Sequence, residues 1–107
     1  LALCLIGLHA LRPPAWTHPD FPPAEASAEQ SARTWLAADN LHRARWAALA
    51  WARQEGTDPG EAYLFLADVD LLLGYRDKAR RVLEKVRDRS SSEGLRQRAA
   101  QRLGGLE

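Results

Sequence analysis

Few residues of this chain have the type and spacing that catalysis or metal binding requires. The three histidines are His9, His18 and His42, and no two of them lie three or four residues apart, as paired metal ligands on one helix would. Asp68 and Asp70 are two residues apart, so on a helix they point to nearly opposite sides and cannot act as a carboxylate pair.

The cysteine, glycine and serine patterns add no catalytic motif. Cys4 is the one cysteine, which excludes an intrachain disulfide framework and a multi-cysteine metal site. Most glycines lie where helices are predicted to end, so they form no phosphate-binding loop. We therefore predict that the chain is not an enzyme, and we assign no catalytic, cofactor-binding or metal-binding residue.

The composition is that of one folded domain without a strong charge bias. The 107 residues are 46% hydrophobic and 27% charged, and 15 Lys and Arg stand against 14 Asp and Glu. This length suits a single domain. The formal net charge of +1 argues against general binding to nucleic acid or other polyanions as the main function.

The amino-terminal part differs from the rest of the chain. Residues 1–11 are apolar except for His9, but a bilayer-spanning helix needs about 20 residues. Because Arg12 and Trp16 follow, as at a membrane interface, we interpret the run as the remnant of a membrane helix. A short helix docked on the domain and a cleaved signal peptide are the alternatives. Residues 12–26 hold five of the six prolines and are predicted to be an extended linker.

Residues 27–107 are predicted to be an all-α domain. Ser27 and Gln30 form a capping box at the start of the first helix, Gly74 ends the third, and Gly104 with Gly105 ends the fifth. No segment shows the alternating pattern of a strand. The predicted helices cover residues 28–38, 41–54, 59–73, 76–89 and 95–103.

Two helix pairs repeat at a recognisable period. Ala44 and Ala79 both lie early in a second helix, 35 residues apart, and the tetratricopeptide repeat has a period of about 34. Residues 60–93 resemble one such repeat without a gap, although Asp70 and Ser91 stand where the family has an aromatic residue and a proline. The matching positions are Tyr63, Leu66, Ala67, Gly74, Ala79, Leu83 and Val86.

The resemblance implies tetratricopeptide-like antiparallel helical hairpins with a carboxy-terminal capping helix. Residues 25–59 resemble a first, more diverged repeat, and the fifth helix resembles the cap that covers the last apolar face of such arrays. The family's binding groove is lined mainly by first helices. Carried over to this chain, the candidate partner-binding residues of that groove are Glu29, Arg33, Leu36, Leu64, Asp68 and Leu71.

Tryptophan adds one more candidate partner-binding residue. Trp35 and Trp51 are expected to fill the core between the first two helices. Trp46 precedes Trp51 by five residues, so it points about 140° away from it on a helix. We therefore expect Trp46 to be an exposed interface anchor.

Basic residues are concentrated towards the end of the chain. Residues 75–102 contain ten Lys and Arg and four acids. The pattern fits either a solvated outer helix face or a surface for an acidic protein, anionic lipid or nucleic acid, although few aromatic residues interleave for base stacking. The candidate basic patch comprises Arg76, Arg80, Arg81, Lys85 and Arg87.

These observations favour a non-catalytic protein-interaction or scaffold module. We expect a membrane-tethered accessory or assembly subunit of a larger membrane complex, with protein partners and a bilayer contact through the amino-terminal segment. An extracytoplasmic helical domain is favoured, and a cytoplasmic one is left open. The alternatives are the carboxy-terminal fragment of a soluble tetratricopeptide array that binds a peptide, and a basic surface that binds nucleic acid or anionic lipid.

Overall fold

The computed structural model describes residues 26–54 and 58–106, and these residues form helices and no strand. The all-α prediction is therefore confirmed for this part of the chain, whereas Arg12 and Trp16 lie outside it. None of the helices in the described ranges is long and apolar enough to cross a membrane. The helices are α1 (Ala28–Ala37), α2 (Leu41–Gln54), α3 (Gly60–Leu72), α4 (Arg76–Arg89) and α5 (Glu93–Leu106).

Local hydrogen bonds set the helix boundaries where the sequence predicts them. At the start of α1, Gln30 N donates to Ser27 Oγ at 3.1 Å and Ser27 N donates to Gln30 Oε1 at 3.0 Å, which is the predicted capping box. The connections after α1 and α3 each contain one residue with positive φ, Asp39 at 60° and Gly74 at 84°. Glycine adopts this conformation without strain and aspartate tolerates it, so both helices end sharply and the chain reverses.

Each helix packs against the next one along the chain, and α3 lies at the centre. One face of α3 joins α1 and α2 in a cluster of Ala32, Ala48, Trp51, Ala52, Ala62 and Leu66. Its other face joins α4 and α5 in a cluster of Leu64, Ala67, Ala79, Leu83, Val86, Ala99, Leu103 and Leu106. Alanines at the crossings let the helix axes approach closely, and the large residues fill the remaining space.

The fifth helix is longer than the glycines predict. It begins at Glu93, where Ser92 Oγ accepts a hydrogen bond from Leu95 N at 3.3 Å, and it continues through Gly104 and Gly105 to Leu106. The predicted end at the glycines is therefore wrong. Leu106 is only 8% exposed and extends the buried face of the helix, so its burial outweighs the low helix propensity of the two glycines.

Alanine substitutions at Gly104 and Gly60 are expected to change the free energy of unfolding in opposite directions. We expect Gly104→Ala to raise the free energy of unfolding by about 0.5–1 kcal/mol, because alanine favours a helix and nothing lies within 4 Å of the added Cβ. Gly60→Ala should lower it, because its Cβ would lie 2.7 Å from Leu95 Cδ1 and 3.0 Å from Asp58 Oδ1. Urea unfolding followed by circular dichroism measures both, and equal shifts of the two variants would contradict the packing at Gly60.

Candidate functional site: a charged cleft and an exposed tryptophan

Helices α1, α3 and α5 form a small cleft, called here the α1/α3/α5 cleft. Its volume is about 170 Å³, which is room for one or two side chains. It is lined by Arg33, Glu61, Leu64, Phe65, Asp68, Arg98 and Arg102. Cationic and acidic groups therefore surround a small apolar surface.

Aromatic rings hold the α1 side of the cleft in place. The guanidinium of Arg33 lies 5.5 Å from the ring centroid of Trp51 and 5.6 Å from that of Phe65, within the range of a cation–π contact. The two rings meet edge to face with their centroids 5.9 Å apart. Arg33 Nε also lies 3.0 Å from Glu29 Oε2, so this guanidinium is positioned from two sides.

Ion pairs between α3 and α5 form the opposite side of the cleft. Arg98 Nη1 lies 2.9 Å from Glu61 Oε1, and Arg102 Nη2 lies 3.3 Å from Asp68 Oδ2. Burial raises the pKa of the Asp68 carboxyl, and the positive charges of Arg102 and Arg98 oppose that shift. Arg102 Nη1 is buried and has no hydrogen-bond acceptor among the described residues.

Asp58 ties together the starts of the two helices that carry these ion pairs. Its Oδ1 accepts from Gly60 N at 3.0 Å, and its Oδ2 accepts from Ser90 Oγ at 2.9 Å and from Ser91 Oγ at 2.7 Å. The hydrogen bonds from Ser91 and Ser90 lower the pKa of the Asp58 carboxyl. The beginning of α3 is thereby fixed next to the connection that leads into α5.

The predicted groove residues occupy different environments. Arg33, Leu64 and Asp68 line the cleft, and Leu64 is buried at 1% exposure, so it forms the cleft's floor. Leu36 is half-buried, and Leu71 packs against the core shared by α3, α4 and α5. Sequence reasoning missed Glu61, Phe65, Arg98 and Arg102. The spacing of Arg98 and Arg102, one helical turn apart, is a signal that α5 presents two cations on one side.

Trp46 forms a second candidate site on the outer side of α2. Its side chain is 75% exposed, consistent with the direction expected from its spacing to the buried Trp51. Beside it lies a depression of about 680 Å³ lined by Trp35, His42, Arg43, Trp46 and Ala47. Trp35 was expected in the core but is half-buried at this surface, where the Arg43 guanidinium lies 4.9 Å from its ring centroid. The residues of α1 and α2 that are buried in this core are Ala32, Ala48, Trp51 and Ala52 instead.

The five residues of the candidate basic patch are divided among different sides of α4. Arg76 donates to the carbonyl oxygen of the last residue of α5, Lys85 lies over a tyrosine ring of α3, and Arg87 pairs with the carboxylate of the next residue. Arg81 is exposed and Arg80 is half-buried. At about 100° per residue, Arg76, Arg80 and Arg87 lie on one side of α4 and Arg81 and Lys85 on another, so the five cations do not share one face.

Two surfaces of the described structure are therefore candidate binding sites, the α1/α3/α5 cleft and the outer side of α2 around Trp46. Both consist of side chains suited to binding, namely guanidinium groups, carboxylates and aromatic rings. No protein-family model, no curated protein and no solved structure matches this chain.

Proposed function

We propose that this protein is a non-catalytic interaction module, with tetratricopeptide-like helical hairpins, that serves as a membrane-tethered accessory or assembly subunit of a larger complex. The observation that carries the proposal is the α1/α3/α5 cleft, in which guanidinium and carboxylate groups surround a small apolar surface. Hydrogen bonds to charged groups of this kind contribute more than neutral ones, so a partner with matching polar groups gains binding free energy there.

The ion pairs of the cleft allow such an exchange. The side chains of Arg98 and Glu61 are 48% and 53% exposed, and pairs of this kind contribute only about 0–1 kcal/mol to stability. A carboxylate or amide from a partner can therefore replace Glu61 or Asp68 at small cost. Phe65 and Leu64 offer an apolar surface beneath the charges, so the cleft fits a short polar segment that carries one apolar side chain.

The amino-acid composition of the amino-terminal segment supports the proposed membrane tether. Residues 1–11 are apolar except for His9, and Arg12 and Trp16 are residue types enriched at membrane interfaces. The proline-rich residues 12–26 would separate the helical domain from the bilayer. In this proposal the domain lies on the extracytoplasmic side and meets protein subunits through its cleft.

Affinity capture tests this function. The full-length protein is captured from detergent-solubilised cells, alongside Arg102→Gln in the cleft and Arg81→Gln on the outer side of α4 as a matched control. We expect a stoichiometric set of integral membrane subunits with the wild type and the control, and at least a several-fold loss with Arg102→Gln. Circular dichroism checks that each variant folds.

Two results would overturn the proposal. If Arg102→Gln retains the full set of subunits, the cleft is not the binding site. If the protein is recovered in the soluble fraction with a single soluble partner, it is not a membrane subunit. The alternative would then hold, in which the chain is the carboxy-terminal end of a soluble tetratricopeptide array that binds a peptide.

A further inference from the structure

The outer side of α2 combines an exposed indole with an unusual charge pattern. Residues Leu41–Gln54 contain three arginines and one histidine and no aspartate or glutamate. Arg45 turns inward, where its Nε lies 2.6 Å from Asp70 Oδ1. His42, Arg43 and Arg53 are exposed together with Trp46.

The face opposite the core is therefore apolar and cationic. The buried residues of α2 are Ala44, Ala48, Trp51 and Ala52. At about 100° per residue, the direction opposite to them is occupied by Trp46, with Arg53 next to it and Ala50 on the other flank. The nearest acidic residues along the chain are Glu55, directly after the helix, and Asp39, in the connection before it. A negatively charged surface can approach this face with little repulsion.

We propose that the outer side of α2 binds the surface of an anionic lipid bilayer. Trp46 would lie at the level of the lipid headgroups, where an indole keeps its ring in the apolar zone and its N–H near water. Arg43 and Arg53 would pair with lipid phosphates. Each basic residue near an anionic leaflet raises the membrane partition coefficient about fivefold.

The shape of the face favours a bilayer over an acidic protein. The central part of a protein interface packs several large side chains into partner pockets, and it is normally depleted of charge. Here Trp46 is the exposed large apolar residue, small residues such as Ala47 and Ala50 lie around it, and the half-buried Trp35 and the cations lie at its edge. An exposed indole with arginines at its edge matches the composition of a membrane-interface contact.

This proposal concerns a different side of the domain from the α1/α3/α5 cleft and does not rest on the proposed function. A contact of this size is weak by itself, and stable membrane attachment takes two signals. The apolar residues 1–11 are the second signal that the composition offers. The test must therefore isolate the contribution of α2 from that of the amino-terminal segment.

Vesicle flotation of the full-length chain provides this separation. Vesicles of phosphatidylcholine alone are compared with vesicles in which one quarter of the lipid is phosphatidylglycerol. The double variant Arg43→Glu with Arg53→Glu is compared with Arg81→Glu with Arg89→Glu on α4, because both change the net charge equally and leave residues 1–11 intact. Trp46→Ala tests the indole, and Arg102→Gln tests independence from the cleft.

We expect the wild type to prefer the anionic vesicles. The α2 double variant should lose about tenfold or more of its partitioning, whereas the α4 double variant should change by about twofold at most. Trp46→Ala should lose several-fold on both kinds of vesicle, and Arg102→Gln should bind like the wild type. Circular dichroism confirms that each variant is folded.

Four outcomes would overturn the proposal. Equal losses in the two double variants would show that only net charge matters. The lipid contact would be excluded if the wild type bound both kinds of vesicle equally, or if Trp46→Ala bound vesicles as well as the wild type does. An acidic protein would then be the remaining candidate partner for this face. A loss of vesicle binding in Arg102→Gln would place the lipid contact at the cleft, whereas loss of protein partners alone in that variant concerns only the proposed function.

Discussion

Replacing Arg45 with alanine is expected to lower the free energy of unfolding by about 3–5 kcal/mol, a large fraction of the stability of a domain this small. Asp70 is completely buried, and its Oδ1 lies 2.6 Å from Arg45 Nε. Its Oδ2 has no hydrogen-bond partner within the described ranges. Removing the guanidinium would leave a carboxylate inside the α2–α3 interface with nothing to balance its charge.

Two further variants test whether the destabilisation comes from the unpaired buried carboxylate of Asp70 rather than from the loss of any arginine on this helix. Arg53→Ala, at an exposed position of the same helix, should change the stability by about 0.5 kcal/mol or less. Replacing the whole pair by apolar residues, Arg45→Met with Asp70→Leu, should recover most of the loss, because a buried ion pair and a well-packed apolar pair are of similar stability. Urea unfolding measures all three. If Arg45→Ala costs no more than Arg53→Ala, the buried pair contributes nothing measurable.

Trp51→Ala is expected to cost about 3–5 kcal/mol, since a large buried ring is replaced by a cavity. Trp51 is 4% exposed and lies in the core shared by α1, α2 and α3. It meets Phe65 edge to face and carries the guanidinium of Arg33 on its ring. The loss therefore removes both packing and the support of one side of the cleft.

Trp46→Ala is the matched control, because it makes the same chemical change five residues, about 1.4 turns, earlier on the same helix. At 75% exposure it should change the free energy of unfolding by about 0.5 kcal/mol or less. Thermal unfolding of both variants, followed by circular dichroism, gives the comparison. Similar losses from the two positions would mean that Trp46 is covered in solution and that the exposed face of α2 is misassigned.

Polar contacts between distant residues fix the order of the helices. Arg45 and Asp70 join the beginning of α2 to the end of α3, which fits helices that run in opposite directions. Asp58 joins the start of α3 to the connection before α5. Such groups accept few alternative arrangements once buried, so they select one packing among those that the apolar residues permit.

Helix positions were predictable because the signals are local. The predicted bounds of α2 and α4, residues 41–54 and 76–89, agree with the structure. Caps, turn residues and helix propensity all act within a few residues of the boundary they set. The opposite exposure of Trp46 and Trp51 was equally predictable, because it follows from the helical repeat alone.

Contacts between helices could not be predicted from local sequence signals in this way. Asp70 stands where the tetratricopeptide pattern has an aromatic residue, and nothing near it in the chain indicates that Arg45 will neutralise it. The end of α5 was misplaced because the burial of Leu106 depends on α4, whereas the helix-ending rule considers only Gly104 and Gly105.

The amino-acid sequence alone thus specifies an all-α domain, most of its helix boundaries and the direction of each tryptophan on α2. The composition of the α1/α3/α5 cleft depends on packing, because Glu61 and Asp68 on α3 meet Arg98 and Arg102 on α5 across more than thirty residues of chain. Local periodicity gives the direction of a side chain around its own helix axis but not the distance to another helix. That distance is set by the volumes of the core side chains and by buried charges such as Asp70, which act only when the helices pack together.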